Sequence, residues 1–300
     1  MTAPILIGLD WGSTRLRAFL LGADGKVLAT RQSNDGASTL HGASVFARAL
    51  ADLVGDWRAD HPRLKLLACG MVGSQHGWRE AAYVRCPADA AALAGQALAI
   101  DDALSIIPGL VDDAAQPDVM RGEETQIVGA LALHPALADD AVLVLPGTHS
   151  KWARVKSGRV TGFATHMTGE LYALLRQHSV LARLMPADGA SPASPEAFRQ
   201  GVDAAREPGA LSHQLFAVRT LGLFKRLAAE QLPDYLSGLL IGHEIAAELQ
   251  QGSQRVALVG DPALCARYAQ ALQHLGQPAP LLLDNTAPAG LWRLSQLMGL

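Results

Sequence analysis

The chain has 300 residues, of which 49% are hydrophobic and 18% charged, and its formal net charge is -3 at pH 7. This composition is apolar enough to build folded cores and excludes a largely disordered chain. The absence of a basic stripe or tail argues against a nucleic-acid partner. No apolar run reaches the ~18 residues of a membrane span, no signal-peptide pattern opens the chain, and the three cysteines lie far apart. We therefore expect a cytoplasmic protein with no membrane partner.

The chain opens with a pattern of two buried strands joined by a polar turn. Residues 5–9 and 16–21 are apolar runs, and the sequence Asp-Trp-Gly-Ser-Thr, residues 10–14, lies between them. Apolar runs of this length bounded by turn residues predict a β-hairpin.

The turn of this first hairpin has the residue types of a phosphate site. Gly12 allows close approach of the backbone to a ligand, and Ser13 and Thr14 add hydroxyl and N–H donors. Asp10 stands at the strand end, where it can meet a metal ion carried by the phosphates. An ordinary hairpin turn is the alternative, because the same residues are common in turns.

Strands and helices then alternate. We expect a third strand at 26–33, an amphipathic helix at 45–57, and further strands at 64–73 and 104–110. The predicted order of the first part is β-β-β-α-β-α-β.

The second half repeats this order. Strands are expected at 141–148, 150–155, 159–167, 255–260 and 280–285, and helices at 169–179, within 195–250, after 260 and at 289–297. The repeat predicts two lobes, residues 1–121 and 122–300, with a hinge near Pro117 to Glu123 and a ligand between the lobes. Residues 184–210 are rich in Pro, Gly, Ala and Ser and are expected to be a loop or mobile insertion, and whether they form a lid is left open.

A second polar turn, Leu-Pro-Gly-Thr-His-Ser-Lys-Trp at 145–152, repeats the device of the first. Gly147, Thr148, His149 and the N–H groups that follow could hold another part of a polyphosphate, with Lys151 as a nearby positive charge. It is not a Walker A loop, because the required spacing of glycines and lysine is absent. A plain hairpin with an exposed lysine is the alternative.

Two adjacent carboxylates, Glu123 and Glu124, open a predicted helix. Acidic residues are stabilised in a first helical turn, which is the structural explanation for them. The functional explanation is that one of the two accepts the proton of an attacking hydroxyl as a general base.

A polar loop with an aromatic residue follows the strand at 64–73. Its Ser74, Gln75 and Trp78 could hydrogen-bond to and stack on a polyol, since loops at strand ends of α/β sheets commonly bind ligands. Arg17 could meet a substrate carboxylate with two hydrogen bonds. The alternatives are a surface loop with a packing tryptophan and an exposed strand arginine.

Gly260 and Asp261 end a predicted strand. Gly260 would let a flat ring lie against the backbone, whereas Asp261 could simply cap the next helix. A zinc site is not favoured, because three candidate ligands, His149, His166 and His178, have irregular spacing and no acidic or cysteine partner.

Several of these segments together resemble a known family. The DWGST turn, the PGTHSKW hairpin and the VALVG strand match, in order, the two phosphate elements and the adenosine element of the actin, hexokinase and Hsp70 superfamily. The chain resembles the 2-dehydro-3-deoxygalactonokinase family from Ile5 to its last helix, in the segments IGLDWGSTRLRAFL, GMVGSQHGW, DVMRGEETQIVGA, LPGTHSKW, MTGELY and YLSGLLIGHE.

The resemblance implies an α/β fold with two ribonuclease H-like (actin-like ATPase) lobes, each a mixed five-stranded sheet with helices, around a central cleft. It also implies a kinase that uses ATP and Mg²⁺ to phosphorylate the 6-hydroxyl of 2-dehydro-3-deoxy-D-galactonate in galactonate catabolism. The partners would be the sugar acid and ATP, and a homodimer is left open.

Related sugar kinases carry Gly-Asp-Gln-Gln before the second phosphate hairpin, with the Asp as base. Here Gly122-Glu123-Glu124-Thr125 takes that place, which favours Glu123 as base and keeps Glu124 as competitor. The adenosine element also departs from the pattern, because Gly260-Asp261 stands where many relatives have two glycines. The sequence does not fix the stereochemistry of the sugar. A kinase for another sugar acid or polyol is one alternative. A non-catalytic sugar sensor is another, although we expect no DNA-binding segment ahead of Ile5, and a chaperone or filament protein would need a long extension.

Overall fold

The structure, a computed structural model, describes residues 3–187, 192–249 and 255–300. Its strands are β1 (Pro4–Trp11), β2 (Leu16–Gly22), β3 (Val27–Ser33), β4 (Lys65–Cys69), β5 (Tyr83–Arg85), β6 (Leu98–Ala99), β7 (Leu104–Ile106), β8 (Gly109–Asp112), β9 (Asp118–Met120), β10 (Asp140–Leu145), β11 (Ser150–Lys156), β12 (Arg159–His166), β13 (Val256–Val259) and β14 (Leu281–Leu283). Its α-helices are α1 (Ala43–Asp60), α2 (Ala90–Gly95), α3 (Glu123–Leu133), α4 (Thr168–His178), α5 (Pro195–Ala204), α6 (Leu211–Leu223), α7 (Leu232–Glu248), α8 (Pro262–His274) and α9 (Ala287–Met298).

The first sheet has the strand order β3-β2-β1-β4-β7-β6. The hairpin expected at the start of the chain is its β1 and β2, which pair antiparallel with Asp10 opposite Arg17. On its other side β1 pairs with β4 in parallel, and this register sets Asp10 beside Cys69. Six consecutive residues of β1 are buried, so both faces of the strand are covered, which explains the unbroken apolar run before Asp10.

Two further sheets in the described part of the chain have the orders β12-β11-β10-β13-β14 and β5-β8-β9. The single strand expected at 104–110 is two strands, β7 and β8, in different sheets, and Pro108, which has no N–H group, lies between them. The first sheet has six strands in the described residues rather than five, because the two-residue β6 adds to its edge.

The chain divides into two compact units, each built from separate segments. Unit 1 comprises Met1–Leu143, Ala153–Ala164 and Leu283–Leu300, and unit 2 comprises Val144–Trp152 and Thr165–Leu282. The boundary after residue 121 and the hinge beside it stay predictions about lobes.

In unit 1, helices α3 and α9 pack closely through two glycines. A Cβ atom at Gly290 would lie 1.9 Å from the Thr125 carbonyl oxygen, and one at Gly129 would lie 2.0 Å from the Thr286 carbonyl oxygen. Neither position can carry a side chain at this separation. The pair therefore fixes α3, whose first residue is Glu123, against the last helix of the chain.

In unit 2, part of the segment expected to be a loop is helical. Helix α5 covers residues 195–204 of the expected loop at 184–210, so that expectation is wrong there. Ser194 caps the helix by accepting a hydrogen bond from Ala197 N–H, and Pro195 suits the first helical turn, where an N–H group is not needed. Residues 188–191 of the expected loop lie outside the described residues.

None of the helices in the described ranges is both long and apolar enough to cross a bilayer.

Candidate functional site

Asp10 is a buried carboxylate at the end of β1. It is 7% exposed, and its Oδ2 lies 2.8 Å from Arg17 Nη2. The approach makes an ion pair without hydrogen-bond alignment, and Oδ2 accepts no hydrogen bond. Burial raises the pKa of Asp10, and the positive charge of Arg17 lowers it by a smaller amount. A buried carboxylate oxygen that accepts no hydrogen bond is suited to bind the water of a hydrated cation. The Arg17 guanidinium is paired with the same carboxylate.

Hydrogen bonds to its own backbone and to residues 37 and 38 fix the turn after Asp10. The Gly12 N–H donates to the Arg15 carbonyl (3.0 Å), and the Gly12 carbonyl accepts from Ala37 N–H (2.9 Å). The Ser13 carbonyl accepts from the backbone N–H and the hydroxyl of Ser38, at 3.1 and 2.6 Å. The side chains of Ser13 and Thr14 are exposed, as a phosphate-binding turn requires.

Backbone packing brings the start of α3 to the end of β1. Gly70 follows Cys69, the β4 neighbour of Asp10, and a Cβ at Gly122 would lie 3.2 Å from the Gly70 Cα. Gly122 has φ of +110°, a conformation that favours glycine. Burial raises the pKa of the Cys69 thiol, and the charges of Asp10 and Glu124 raise it further. The carboxylates of Asp10 and Glu124 therefore both lie near Cys69 in unit 1.

The two adjacent glutamates have opposite environments. The Glu124 carboxylate is fully buried and accepts hydrogen bonds from Gly122 N–H (2.5 Å) and Thr125 Oγ1 (3.0 Å). Burial, then the charge of Glu123, raises the pKa of Glu124 to about 8. Glu123 is half-buried, and its Oε2 accepts from Arg121 N–H (3.1 Å). A bound hydroxyl can therefore reach Glu123, whereas Glu124 is closed off.

The expected sugar-binding loop follows β4. Ser74 is half-buried and its carbonyl accepts from Gly77 N–H (2.9 Å), while Gln75 is exposed. The Trp78 ring stacks on Phe46, with ring centroids 5.9 Å apart, and meets the Trp11 ring edge-on at 6.0 Å. Trp78 thus has the packing contacts of the structural alternative, and the sugar-binding roles of the loop stay predictions.

The second polar turn lies in unit 2 and is braced by the start of α4. A Cβ at Gly169 would lie 2.3 Å from the Gly147 carbonyl oxygen, and Glu170 N–H donates to the Thr148 carbonyl (3.0 Å). His149 is exposed, and its Nε2 lies 2.6 Å from the Glu170 carboxylate.

Lys151, the lysine of this turn, is buried rather than exposed. Only 6% of the residue is accessible, and its Nζ donates to Thr165 Oγ1 at 2.7 Å. The exposed lysine of the plain-hairpin alternative is therefore wrong.

Glu244, on α7, is a buried carboxylate for which we predicted no role. Its Oε1 accepts from Ser150 Oγ (2.6 Å) and Trp152 Nε1 (2.5 Å), and its Oε2 accepts from Tyr268 Oη (2.7 Å) and from Thr168 Oγ1. Burial, then the Glu244 charge, raises the pKa of Tyr268. The signal in the sequence was a lone acid on an otherwise apolar helix face, in a segment that carries the family resemblance.

A cavity of about 190 Å³ adjoins the second turn within unit 2. Its lining comes from the turn, from α4, α7 and α8: Gly147, Thr168, Gly169, Tyr172, Ser237, Leu240, Ile241, Leu264, Arg267 and Tyr268. Gly260 directly follows β13 and has φ of +135°. Asp261 caps α8 by accepting from Leu264 N–H (2.9 Å), as the structural alternative expected.

Metal binding by protein side chains alone has little support in the described part of the chain, where no group of three or more His, Cys, Asp or Glu could hold an ion. The expectation that the candidate histidines have no acidic partner is wrong for two of them, because His149 pairs with Glu170 and His166 pairs with Glu248. Magnesium differs, since it usually keeps several waters and is held by phosphates with one or two carboxylates. The Asp10 carboxylate, whose Oδ2 accepts no hydrogen bond, fits that mode.

Comparison with known proteins gives consistent matches along the chain. The sequence model of the 2-keto-3-deoxy-galactonokinase family matches residues 10–294. The 2-dehydro-3-deoxygalactonokinase of Escherichia coli K12 is 39% identical over 285 residues, 94% of each chain. A crystal structure from Sinorhizobium meliloti, provisionally assigned as a 2-dehydro-3-deoxygalactonokinase protein, has a TM-score of 0.87 at 36% identity and covers 97% of this chain and 98% of its own.

A more distant structure shares the fold alone. Component A of (R)-2-hydroxyglutaryl-CoA dehydratase from Acidaminococcus fermentans has a TM-score of 0.51 at 14% identity, covering 98% of this chain and 99% of its own. The expected α/β fold of the actin-like ATPase class is confirmed.

Proposed function

The chain belongs to the 2-keto-3-deoxygalactonokinase family, and on that premise we propose that it phosphorylates the 6-hydroxyl of 2-dehydro-3-deoxy-D-galactonate with ATP. The products would be 2-dehydro-3-deoxy-6-phospho-D-galactonate and ADP, in the breakdown of galactonate. The observation that carries the proposal is the 39% identity to the Escherichia coli enzyme across 94% of both chains.

Glu123 is the proposed general base. Its carboxylate takes the proton of the 6-hydroxyl as that oxygen attacks the γ-phosphorus. The bond from the γ-phosphorus to the bridging oxygen breaks, and its electron pair leaves with ADP. Partial exposure supports Glu123 over the fully buried Glu124, because a base must touch the hydroxyl that it deprotonates.

ATP would be held by the two polar turns and by the end of β13. The proposed nucleotide-binding residues are Asp10, Gly12, Ser13, Thr14, Gly147, Thr148, His149, Lys151, Gly260 and Asp261. The cavity of about 190 Å³ beside Gly147 supports a nucleoside site in unit 2. When bound, Mg²⁺ would neutralise charge on the phosphates, and Asp10 would hold it through water.

The sugar acid would lie against the loop after β4, with Ser74 and Gln75 as hydrogen-bonding groups. Trp78 would offer an edge of its packed ring, and Arg17 would be the cation nearest the substrate carboxylate. Arg17 is already paired with Asp10, so the substrate would share this cation with the Asp10 carboxylate.

The proposed localisation is cytoplasmic, because Cys69, Cys86 and Cys265 are free thiols, which suits a reducing compartment. A homodimer is a further proposal that sedimentation velocity would test.

The direct test is ADP release by the purified protein, measured with a coupled assay across 3-deoxy-2-keto acids and polyols, with and without Mg²⁺. We expect the highest kcat/KM for 2-dehydro-3-deoxy-D-galactonate, a dependence on Mg²⁺, and a product phosphorylated at C6 by ³¹P NMR. A higher kcat/KM for another sugar acid would reassign the substrate. No ADP from any acceptor would overturn the kinase proposal and favour a sugar sensor.

A further inference from the structure

The Glu244 carboxylate is the centre of a closed set of donors in unit 2. It is 2% exposed, and its four hydrogen-bond donors come from β11, α4 and α8. An ionised carboxylate is acceptor-only and can accept all four bonds, so a buried charge of this kind is stabilised by its donors. Glu244 therefore ties together elements that are far apart in the sequence.

Two of the tied residues lie beside residues 147–149, the tip of the second polar turn. Ser150 directly follows the turn residues Thr148 and His149, and Thr168 directly precedes Gly169, which packs on the Gly147 carbonyl. Any shift of Ser150 or Thr168 would change the position of the turn, because a Cβ at Gly169 would already lie 2.8 Å from the Thr148 Cα.

The other side of the carboxylate faces the cavity wall. Thr168 and Tyr268, the two partners of Oε2, both line the cavity of about 190 Å³. The turn and the cavity wall thus share one anchor, whereas Glu244 itself does not line the cavity.

We propose that Glu244 is a positioning residue for nucleotide binding: it holds the turn at 147–149 and the wall formed by Thr168 and Tyr268 in register. This rests on the proposed function, because it takes the ligand of that turn and cavity to be the nucleotide. It adds a residue that does not contact the ligand and acts through Ser150 and Thr168.

Glu244→Gln is a sharp test because the donors fix how the new amide lies. Trp152 N–H can only donate, so the amide oxygen must stay on the side of Trp152 and Ser150. The amide nitrogen then faces the hydroxyls of Thr168 and Tyr268, which lose their charged acceptor. The disturbance is therefore directed at the cavity wall.

The experiment measures both KM values and the Kd for ADP in wild type and in Glu244→Gln, with Glu196→Gln as control. The control makes the same chemical change at an exposed ion pair with Arg199, and exposed ion pairs contribute little to stability. We expect the KM for ATP and the Kd for ADP to rise about tenfold in Glu244→Gln, with the KM for the sugar acid within about twofold. The control should match wild type. An unchanged KM for ATP, or equal increases in both KM values, would overturn the proposal.

Tyr268→Phe and Thr168→Val keep the test decisive if Glu244→Gln does not fold. Each removes one donor to Oε2, and we expect a rise of about threefold in the Kd for ADP. Unchanged ADP binding in both would also overturn the proposal. Since ADP binding needs no acceptor, a wild type that binds ADP but phosphorylates no sugar acid would refute the proposed function while leaving the role of Glu244 testable. A wild type that binds no nucleotide would refute both.

Discussion

Glu123 and Glu124 show how one residue of sequence separation changes the chemistry of a carboxylate. Consecutive positions on an α-helix point about 100° apart. One side chain is thereby half-buried at the start of α3, and the other is enclosed. Sequence reasoning could name the pair but could not decide between them, because burial depends on what packs against each face.

The buried Glu124 gives the protein a pH-dependent stability. Its folded pKa of about 8 lies above the ordinary value of 4.5. Between these values the unfolded chain ionises while the folded carboxyl stays protonated, so the free energy of unfolding falls as pH rises. The contribution of Glu124 to the free energy of unfolding is fully present below pH 4.5 and is lost as the pH rises through 8. We expect Glu124→Gln to escape this loss, which is on the order of 5 kcal/mol.

Urea unfolding of wild type and Glu124→Gln at pH 5, 7 and 9 checks this prediction. Other groups titrate in both proteins, so the difference between their free energies of unfolding isolates Glu124. That difference should increase in favour of the variant from pH 5 to pH 9, and an equal difference at both ends would refute the burial argument.

Asp10 carries a prediction about magnesium. Asp10→Asn removes the negative charge of a carboxylate whose Oδ2 accepts no hydrogen bond. Loss of a group that holds a metal ion indirectly typically weakens metal binding by about 10–100-fold. We expect the Mg²⁺ concentration for half-maximal rate to rise at least about tenfold. Asp24→Asn, at an exposed pair with Lys26 in the same unit, is the matched control. A normal Mg²⁺ dependence in Asp10→Asn would remove Asp10 from the metal site.

At the scale of elements, the contact of α3 with α9 sets the position of the proposed base. Gly290→Ala would put a Cβ 1.9 Å from the Thr125 carbonyl oxygen, and backbone cannot yield cheaply. We expect a loss of about 3 kcal/mol in the free energy of unfolding, together with a lower kcat. Gly55→Ala in α1, where nothing lies within 4 Å of the new atom, should be neutral or stabilising by about 0.5–1 kcal/mol. Urea unfolding of both variants compares them, and equal stabilities would contradict the close packing.

Elements with a strong local pattern could be predicted, and those that depend on distant partners could not. The hairpin of β1 and β2, the helix α1 and the strands β10 to β12 follow from apolar runs and turn residues within about 20 positions. The third sheet pairs β5 with β8, which are short strands without a clear pattern. The burial of Lys151 and the role of Glu244 also escaped prediction, since the Glu244 bonds to β11 span 92 and 94 residues.

At the scale of the whole molecule, the chain builds each compact unit from separate segments. Besides its first segment, unit 1 includes two later segments of the chain, Ala153–Ala164 and Leu283–Leu300. The predicted lobes, 1–121 and 122–300, are a different division of the chain and stay a prediction. Each of the two polar turns can be recognised in the sequence, because a turn that binds phosphate needs particular residue types at adjacent positions.

The central claim is that this member of the family is a kinase whose base is Glu123, and one comparison of kcat tests it most directly. At pH 7, Glu123→Gln should lose at least ~100-fold in kcat with 2-dehydro-3-deoxy-D-galactonate and keep the wild-type Kd for ADP. Glu124→Gln should keep kcat within a few-fold, since a carboxyl with a pKa of about 8 is mostly protonated at pH 7. Wild-type turnover in Glu123→Gln, or the larger loss in Glu124→Gln, would contradict the account.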